Sequence, residues 1–288
     1  AFDTVLKPTE PFAKETKPVS WLVSRGGRTW REFEFPAGEP VGIICLNGTK
    51  KITASGHISC RHSKSVSFDA SDVLADVPKF YDRFDDRALG SLLVKDSKTP
   101  PAINTLARWK NLSFFAVEHC LLSDSYLRGL SRLKHLKSLS LLHSDVSAQP
   151  LIASGVLFRL NSLQLVDVRE SAKILKGIEN RDNLRSLSVR RIDLNEPELA
   201  SIATLSQLQD LDLRTTRLPA SAMATVARLP NMRWLHLSEA TFDASTLTDL
   251  VKCKRLESLT LDKNVLSARQ KLQLKAVLPA LTIGEELD

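Results

Sequence analysis

The chain has 288 residues, of which 43% are apolar and 25% are charged, and its formal net charge is +7. This composition is typical of a folded globular protein and excludes a disordered chain, a collagen and a disulfide-rich scaffold. The longest apolar run, at residues 41–46, is too short to span a bilayer. The basic excess is spread along the chain, so it indicates a mildly basic surface and disfavours a nucleic-acid-binding protein.

The N-terminal third differs in sequence pattern from the rest of the chain. Residues 1–20 hold three prolines among polar residues, which predicts an extended N-terminal arm. Residues 21–85 contain short alternating segments and an Asn47-Gly48 pair, which is typical of a tight hairpin turn. We expect this second region to fold as a β-rich N-terminal cap module. An independent binding domain is the alternative.

Residues 86–288 repeat with a period of 24 residues, which indicates stacked copies of one structural unit. Seven segments of the form LxxLxL align without insertion, and they begin at Leu112, Leu136, Leu160, Leu184, Leu208, Met232 and Leu256. The alternating apolar residues of each segment predict a half-buried strand. A helix follows, because apolar residues recur at helical spacing after residues suited to an N-cap. The predicted N-caps are Ser123, Ser147, Ser171, Asn195, Asp243 and Ser267.

Such segments, each followed by one helix, resemble the leucine-rich repeat proteins of the bacterial type with 24-residue repeats. The resemblance covers residues 86–288. It implies an α/β fold, a right-handed solenoid with a curved parallel sheet on its concave face and helices on its convex face. The β-rich module would close one end and a C-terminal cap the other, because each repeat buries its apolar face only against a neighbour. The family consists mostly of binding scaffolds, which implies a non-catalytic protein-binding function.

The position after each strand departs from the family pattern, which favours Asn, Cys or Thr there. The residues at this position are Cys120, Ser144, Val168, Ile192, Thr216, Ala240 and Asn264. We therefore expect the family's ladder of side chains bonded to the buried backbone to be interrupted. Cys120 and Cys253 are expected to be buried core residues.

Two further cysteines, Cys45 and Cys60, lie in β-like segments of the predicted cap. In an oxidising compartment they are candidates for a disulfide bond, although spacing alone does not decide the pairing. The chain begins at Ala1 without an initiator methionine, which a removed signal peptide or trimming would explain. We expect a secreted, periplasmic or cell-surface location, with a cytoplasmic one as the alternative.

The predicted binding site lies on the concave face, where outward side chains form columns about 5 Å apart. The later repeats carry large and charged residues in these columns, and Trp and Arg are the usual anchors of protein interfaces. The candidate partner-binding residues are Arg185, Arg190, Asp210, Asp212, Arg214, Arg233, Trp234 and His236. In the alternative interpretation these residues only stabilise the fold. Trp234 then covers its neighbours, and Arg and Asp pair across adjacent strands.

The sequence contains no motif that indicates an enzymatic function. Phosphate-binding, dinucleotide-binding and HExxH patterns are missing, so we expect no catalytic residue and no cofactor. One residue after each of three successive strands is a candidate ligand of a single metal ion, namely His119, His143 and Asp167. Exposed loop histidines explain the same pattern, and this second interpretation is preferred.

The expected partner is another protein, with a surface polysaccharide as a second class. Nucleic acid is disfavoured because Asp210 and Asp212 lie among the arginines and would repel phosphates. The runner-up function is an assembly role, in which the N-terminal arm and the β cap dock the protein into a larger complex.

Overall fold

The computed structural model describes residues 17–62, 65–238, 244–262 and 265–286. Most of the predicted arm, the predicted N-cap Asp243 and the ladder positions Ala240 and Asn264 lie outside the described residues. The chain divides into two compact units. The first unit runs to Leu136 and includes His143–Asp145, and the second consists of Lys137–Leu142 and the residues from Val146 onward. The division falls inside the repeats, away from the cap boundary expected near residue 85.

The first unit begins with six strands, as expected for a β-rich module. They are β1 (Ser20–Arg25), β2 (Arg28–Glu34), β3 (Gly42–Leu46), β4 (Lys50–Thr53), β5 (His57–Arg61) and β6 (Val66–Ala70). An antiparallel sheet has the order β1-β2-β5. A second sheet places β3 between β4 and β6, with antiparallel pairing on both sides.

Two repeat strands continue this second sheet, β7 (Ser91–Lys95) and β8 (Phe114–Glu118). The last strand of the cap, β6, pairs in parallel with β7, and β7 pairs in parallel with β8. The helices of this unit are α1 (Ile103–Arg108) and α2 (Asp124–Gly129), with 3₁₀ segments at Asp72–Leu74, Pro78–Arg83 and Leu130–Arg132. The cap therefore adds strands to the repeat sheet through backbone hydrogen bonds. It does more than cover the side chains of that sheet.

Tight turns shape the cap. Asn47 and Gly48 link β3 to β4 with φ of 53° and 72°, so the predicted hairpin turn is confirmed. Gly26 and Gly27 link β1 to β2 with φ of 56° and 70°. Glycine and asparagine accept these left-handed conformations at little steric penalty.

An aromatic cluster fills the core of the first unit. Neighbouring ring centroids lie 5.5 to 6.3 Å apart. The members are Phe33, Phe35, Phe68, Phe80, Phe84 and Trp109, and all are buried. Burying each phenylalanine stabilises the fold by roughly 1.5 to 3 kcal/mol before entropy is considered.

The second unit is a series of parallel strands. They are β9 (Ser138–Leu142), β10 (Ser162–Val166), β11 (Ser186–Arg190), β12 (Asp210–Leu213), β13 (Trp234–Leu237), β14 (Ser258–Asp262) and β15 (Thr282–Glu286). Each strand pairs in parallel with the next in the chain. The paired residues differ by 24 positions, as in Ser162 with Ser186 and Ser186 with Asp210.

One helix lies between each pair of consecutive strands in the second unit. The helices are α3 (Ala148–Ala153), α4 (Ser171–Gly177), α5 (Glu196–Ala203), α6 (Ala222–Val226), α7 (Ala244–Leu250) and α8 (Ala268–Val277), with a 3₁₀ segment at Val156–Arg159 after α3. No helix among the described residues is long and apolar enough to cross a membrane. Leucines such as Leu187, Leu211 and Leu235 point into the core and have no exposed surface.

The predicted N-caps are confirmed in part. Ser123 and Ser267 accept hydrogen bonds from the amides of Tyr126 and Gln270, at 3.2 and 3.3 Å. At α5, the Glu198 carboxylate accepts from the amide of the N-cap Asn195 at 2.9 Å. The prediction was wrong for Ser171, which is already the first helical residue and is preceded by Glu170 as the cap.

The side-chain ladder after the strands is interrupted, as expected. In the first unit, the Cys120 amide donates to the Ser144 hydroxyl at 3.1 Å. In the second unit, the Thr216 hydroxyl donates to the Val189 carbonyl at 2.8 Å. Val168 and Ile192 have no side-chain donor or acceptor and break the series. Cys120 and Cys253 are buried, as predicted.

The disulfide considered for Cys45 and Cys60 is not formed in this structure. Cys45 lies in β3 and Cys60 in β5, which belong to different sheets of the first unit. Both side chains are buried in the cap. The cap is thus held by packing and backbone pairing without a bond between these two cysteines.

Candidate functional site

The candidate site lies on one side of the parallel strands of the second unit. Side chains alternate along a strand, so residues next to the buried leucines point to the opposite face. We term this surface of β11 to β14 the strand face. Its residues are Ser186, Ser188, Asp210, Asp212, Trp234, His236, Ser258 and Thr260. The arginines of the predicted site flank these positions.

Asp212 binds two arginines at the end of this face. Arg190 donates to Asp212 Oδ2 through Nε at 2.7 Å and also through Nη2. Arg214 donates through Nε to Oδ1 at 2.9 Å and through Nη2 to Oδ2 at 2.8 Å. Burial raises the pKa of the Asp212 carboxyl, and the Arg190 guanidinium opposes that shift. One buried carboxylate therefore orients two guanidinium groups.

Asp210 forms a second, weaker group with His236. The Ser186 hydroxyl donates to Asp210 Oδ2 at 3.0 Å, and His236 Nε2 lies 3.7 Å from Asp210 Oδ1. Burial raises the pKa of the Asp210 carboxyl, while Ser186 and His236 lower it and Asp212 raises it further. Within the described part of the chain, Oδ1 is buried and accepts no hydrogen bond. The carboxylate is less satisfied than that of Asp212.

Trp234 is half-buried and is held in place by an ion pair. The Arg233 guanidinium lies 4.3 Å from the centroid of the indole ring. The same guanidinium donates to both carboxylate oxygens of Glu257, with Nε–Oε1 and Nη2–Oε2 distances of 2.8 Å. This ion pair raises the pKa of Arg233. The guanidinium stacks on the ring and limits its rotation.

The structure thus places seven of the eight predicted residues in three groups. Arg190, Asp212 and Arg214 form the first group, Asp210 and His236 the second, and Arg233 and Trp234 the third. Arg185 stands apart, because its Nη1 donates to the carbonyl of Asp182 at 2.8 Å. Glu257 was missed as a site residue. Its position one repeat after Arg233, with opposite charge, is the signal that would have identified it.

The histidines considered for a metal site lie in the first unit. His119 and His143 occupy left-handed conformations after their strands, with φ of 51° and 47°. Their rings stack with centroids 4.9 Å apart and an interplanar angle of 17°. Ring nitrogens in nearly parallel planes do not converge on one ion, which a metal site requires. Over the described ranges, no group of three or more His, Cys, Asp or Glu residues is arranged to hold a metal ion.

Comparison with known proteins gives matches to solved structures. No protein-family model matches the sequence, and no curated protein matches it. An internalin of Listeria monocytogenes is 13% identical over 75% of this chain and 70% of that chain, with a TM-score of 0.43. A leucine-rich repeat protein of Leptospira interrogans is 17% identical over 73% and 69%, with a TM-score of 0.39. A chain of the Drosophila Toll–Spatzle complex is 14% identical over 85% and 35%, with a TM-score of 0.49.

The geometry of the chain itself decides its fold. Parallel strands shifted by 24 residues, with one helix between each consecutive pair, build the second unit. This is the architecture of a leucine-rich repeat solenoid. The fold is α/β, with a β-rich module that precedes the repeats in the chain.

The first unit also has a pocket that the sequence did not predict. It has a volume of about 780 Å³ and lies beside β1 in the first unit. Its lining includes Pro18, Trp21, Leu22, Lys79 and Phe84. Trp21 and Leu22 are 36% and 43% exposed. Two consecutive large apolar residues, followed by Val23 and a Gly-Gly turn, are the signal for an apolar edge strand.

Proposed function

We propose that this leucine-rich repeat protein is a non-catalytic binding protein that holds another protein on its strand face. The observation that supports the proposal is the fixed orientation of Trp234. Arg233 stacks on the ring, and Glu257 holds Arg233 through two hydrogen bonds. An aromatic side chain that is already ordered loses little conformational entropy when a partner covers it.

The surroundings of Trp234 suit a binding site. Small or short side chains lie beside it on the neighbouring strands, because Asp210 and Ser258 are in register with it. These two in-register neighbours are too small to cover the indole, and the large side chain described on the ring is that of Arg233. Tryptophan and arginine are the residue types that most often dominate interface energies. A polysaccharide is the competing ligand class, since an aromatic ring beside hydroxyl and carboxylate groups also suits a sugar.

The test compares wild-type protein with Trp234→Ala for capture of a partner from the natural source. The matched control is Leu272→Ala, which shortens another exposed apolar residue of the second unit, on helix α8. We expect the wild type and the control to retain the same protein with equal affinity. The Trp234 variant should bind it about 10-fold more weakly or worse. Equal binding by a Trp234 variant with an unchanged melting temperature would overturn the proposal.

A second candidate function is assembly through the cap. It is supported by the exposed Trp21 and Leu22, which lie on β1 at the edge of its sheet and line the 780 Å³ pocket. Edge strands offer unpaired backbone groups to another chain. Hydrogen exchange of the partner-bound protein separates the two functions. Protection of Ser20–Arg25 favours assembly, and protection of β11 to β14 favours the strand face.

The proposal includes no catalytic step and no cofactor. The Asp212 carboxylate is already engaged by two arginines, so it is poorly suited to act as a general base. The secreted, periplasmic or cell-surface location stays a prediction, and fractionation of the source cells checks it.

A further inference from the structure

We propose that Arg181 and Phe158 form a further protein-binding site, which takes an acidic side chain beside an apolar residue of a partner chain. Both residues belong to the second unit and lie in segments that lead from a helix to the next strand. Phe158 is in the 3₁₀ segment before β10, and Arg181 lies between α4 and β11. The site shares no residue with the strand face, so it goes beyond the proposed function and does not depend on it.

Arg181 occupies a position that is apolar and buried in five other repeats. At multiples of 24 residues from it, each side chain is at most 4% exposed, and the residues are Leu133, Leu157, Leu205, Leu229 and Cys253. A leucine at this position would continue the series of core residues. The arginine is therefore a departure from the repeat pattern at a place where packing favours an apolar side chain. Departures of this kind are expected at functional sites.

The Arg181 side chain lacks the partners that a covered arginine usually has. Its Nε atom is buried and meets no hydrogen-bond acceptor in the described part of the chain. The guanidinium group forms no ion pair or hydrogen bond with any described residue, and it contacts the ring of Phe158. A buried donor without an acceptor lowers the stability of the fold. An arginine here is thus unfavourable for folding alone, which favours a role in binding.

The acidic residues near Arg181 in the chain bind other groups. Asp182 Oδ1 accepts a hydrogen bond from the Ser206 hydroxyl at 3.2 Å. Glu179 Oε1 accepts from the Lys176 ammonium group at 2.9 Å. Neither carboxylate forms an ion pair with Arg181, so its positive charge is not neutralised at contact distance by these two neighbours. A carboxylate of another chain can supply the missing negative charge.

The stacking on Phe158 orients the donors of Arg181. The Arg181 Cζ atom lies 3.8 Å from the centroid of the Phe158 ring. A guanidinium group that stacks on an aromatic ring keeps its N–H donors at the edge of its own plane. The two Nη atoms have no hydrogen-bond partner among the described residues and are not enclosed as Nε is, so they are the donors that a ligand reaches. Paired donors of this kind match the two oxygens of a carboxylate.

Phe158 gives the site an apolar part. It is 38% exposed, although the Arg181 guanidinium already lies over its ring. The Asn183 Nδ2 atom donates to the Phe158 carbonyl at 2.9 Å, which ties the backbone at the ring to the next repeat. An apolar residue of the partner can cover the exposed part of the ring while a neighbouring carboxylate binds Arg181. Removal of this apolar surface from water adds to the affinity.

A carboxylate suits this site better than a phosphate group does. One guanidinium group balances the single charge of a carboxylate. A phosphate monoester carries a charge of about −1.5 to −2 at neutral pH. The carboxylates of Glu179 and Asp182, close to Arg181 in the chain, oppose the excess negative charge.

The experiment titrates the full chain with four probes, namely inorganic phosphate and capped Phe-Glu, Phe-Gln and Gly-Glu dipeptides. The readouts are the NMR signals of the Arg181 Nε–Hε group and of the Asn183 backbone amide. We expect the Phe-Glu peptide to shift both signals in a saturable way and to bind at least about 3-fold more tightly than each of the other probes. The proposal fails if the Phe-Glu peptide leaves these signals unchanged, or if another probe binds as tightly.

The variant Arg181→Leu tests both the site and its effect on the fold. It restores the residue type of the other repeats, so we expect the melting temperature to rise by about 2 °C. The affinity for the Phe-Glu peptide, read from the Asn183 signal, should fall at least about 10-fold because the charged donors are lost. Arg255→Leu is the matched control, since Arg255 is exposed and contacts Asn231. It should bind the peptide as the wild type does, without a higher melting temperature.

A second variant separates paired donors from simple charge attraction. Arg181→Lys keeps the positive charge and loses the planar donors, so we expect at least about 3-fold weaker binding of the Phe-Glu peptide. An affinity equal to that of the wild type in either Arg181 variant would overturn the proposal. If Arg181→Leu does not fold, Arg181→Lys decides the question. The strand face is tested separately by Trp234→Ala, so a failure here does not bear on the proposed function.

Discussion

Arginine–aspartate pairs occur in both units, and they differ in which member is covered. In the first unit, Arg31 is 2% exposed and donates to Asp85, whose side chain is 25% exposed. In the second unit, Asp212 is the covered member, and Arg190 and Arg214 reach the surface. The burial of one partner or the other decides what a pair can do. The first pair encloses its cation in the cap, and the second leaves its cations partly exposed.

The neighbours of the two pairs reinforce this difference. Arg31 also contacts His62 Nδ1 at 2.9 Å, and the Ser20 hydroxyl donates to Asp85 at 2.8 Å. The Arg31 guanidinium is thus enclosed by side chains of the cap. On the strand face the carboxylate lies beneath the arginines, beside the small side chain of Ser188. Similar ion-pair chemistry therefore buries the cation in one unit and the carboxylate in the other.

The largest expected effect is on stability, in the variant Arg31→Ala. Removal of the buried guanidinium leaves Asp85 without its charged partner and opens a cavity, so we expect the free energy of unfolding to fall by about 3 kcal/mol. Urea unfolding followed by circular dichroism measures the change. The comparison variant is Arg190→Ala, where we expect a loss of about 1 kcal/mol or less, because that side chain is partly solvated. Similar losses in both variants would break the contrast between the two pairs.

A smaller effect is expected when the support of Trp234 is removed. In Glu257→Gln the Arg233 guanidinium loses its ionic partner, so the indole ring is less ordered before binding. We expect the captured partner to bind about 3-fold more weakly, with little change in the stability of the fold because the ion pair is exposed. Isothermal titration with the captured partner measures the affinity. An affinity equal to that of the wild type would show that Trp234 needs no support from this ion pair.

The smallest effect is a pH dependence at Asp210. Burial raises the pKa of this carboxyl in the folded state, so the folded protein holds the proton at a higher pH than the unfolded chain does. The ionised group therefore opposes folding, and its contribution becomes less favourable as pH rises through the unfolded and folded pKa values. Asp210→Asn removes this term. We expect the stability of the variant relative to the wild type to increase from acidic to neutral pH.

Thermal unfolding of both proteins across the acidic range provides the measurement for Asp210. Ser186→Ala serves as its companion, because loss of the hydroxyl that donates to Oδ2 removes an interaction that lowers the pKa. In that variant the pKa of Asp210 should rise further, so the pH range over which its stability falls should extend to higher pH than in the wild type. A relative stability of Asp210→Asn that decreases with pH would contradict the expected sign.

The repeat architecture was predictable because it depends on local pattern. A fixed 24-residue period places equivalent residues side by side, and the pairing of Ser162 with Ser186 confirms it. Alternation within each segment also predicted that Leu211 would be buried and Asp210 would point away from it. Pairing within the cap was not predictable, because the partner of a strand such as β3 depends on contacts distant in sequence. The unpredicted parallel pairing of β6 with β7 has the same origin.

The same distinction between local pattern and distant contacts applies to the candidate site. The sequence by itself determined which side chains share the strand face, because strand period and repeat length set their positions. Only the tertiary structure decided that Asp212 lies beneath Arg190 and Arg214, and that Arg233 stacks on Trp234. A long charged side chain can pair with any of several oppositely charged neighbours at similar distances, so the sequence alone does not give its partner. Burial and hydrogen-bond geometry make that selection, and they exist only once the strands are assembled.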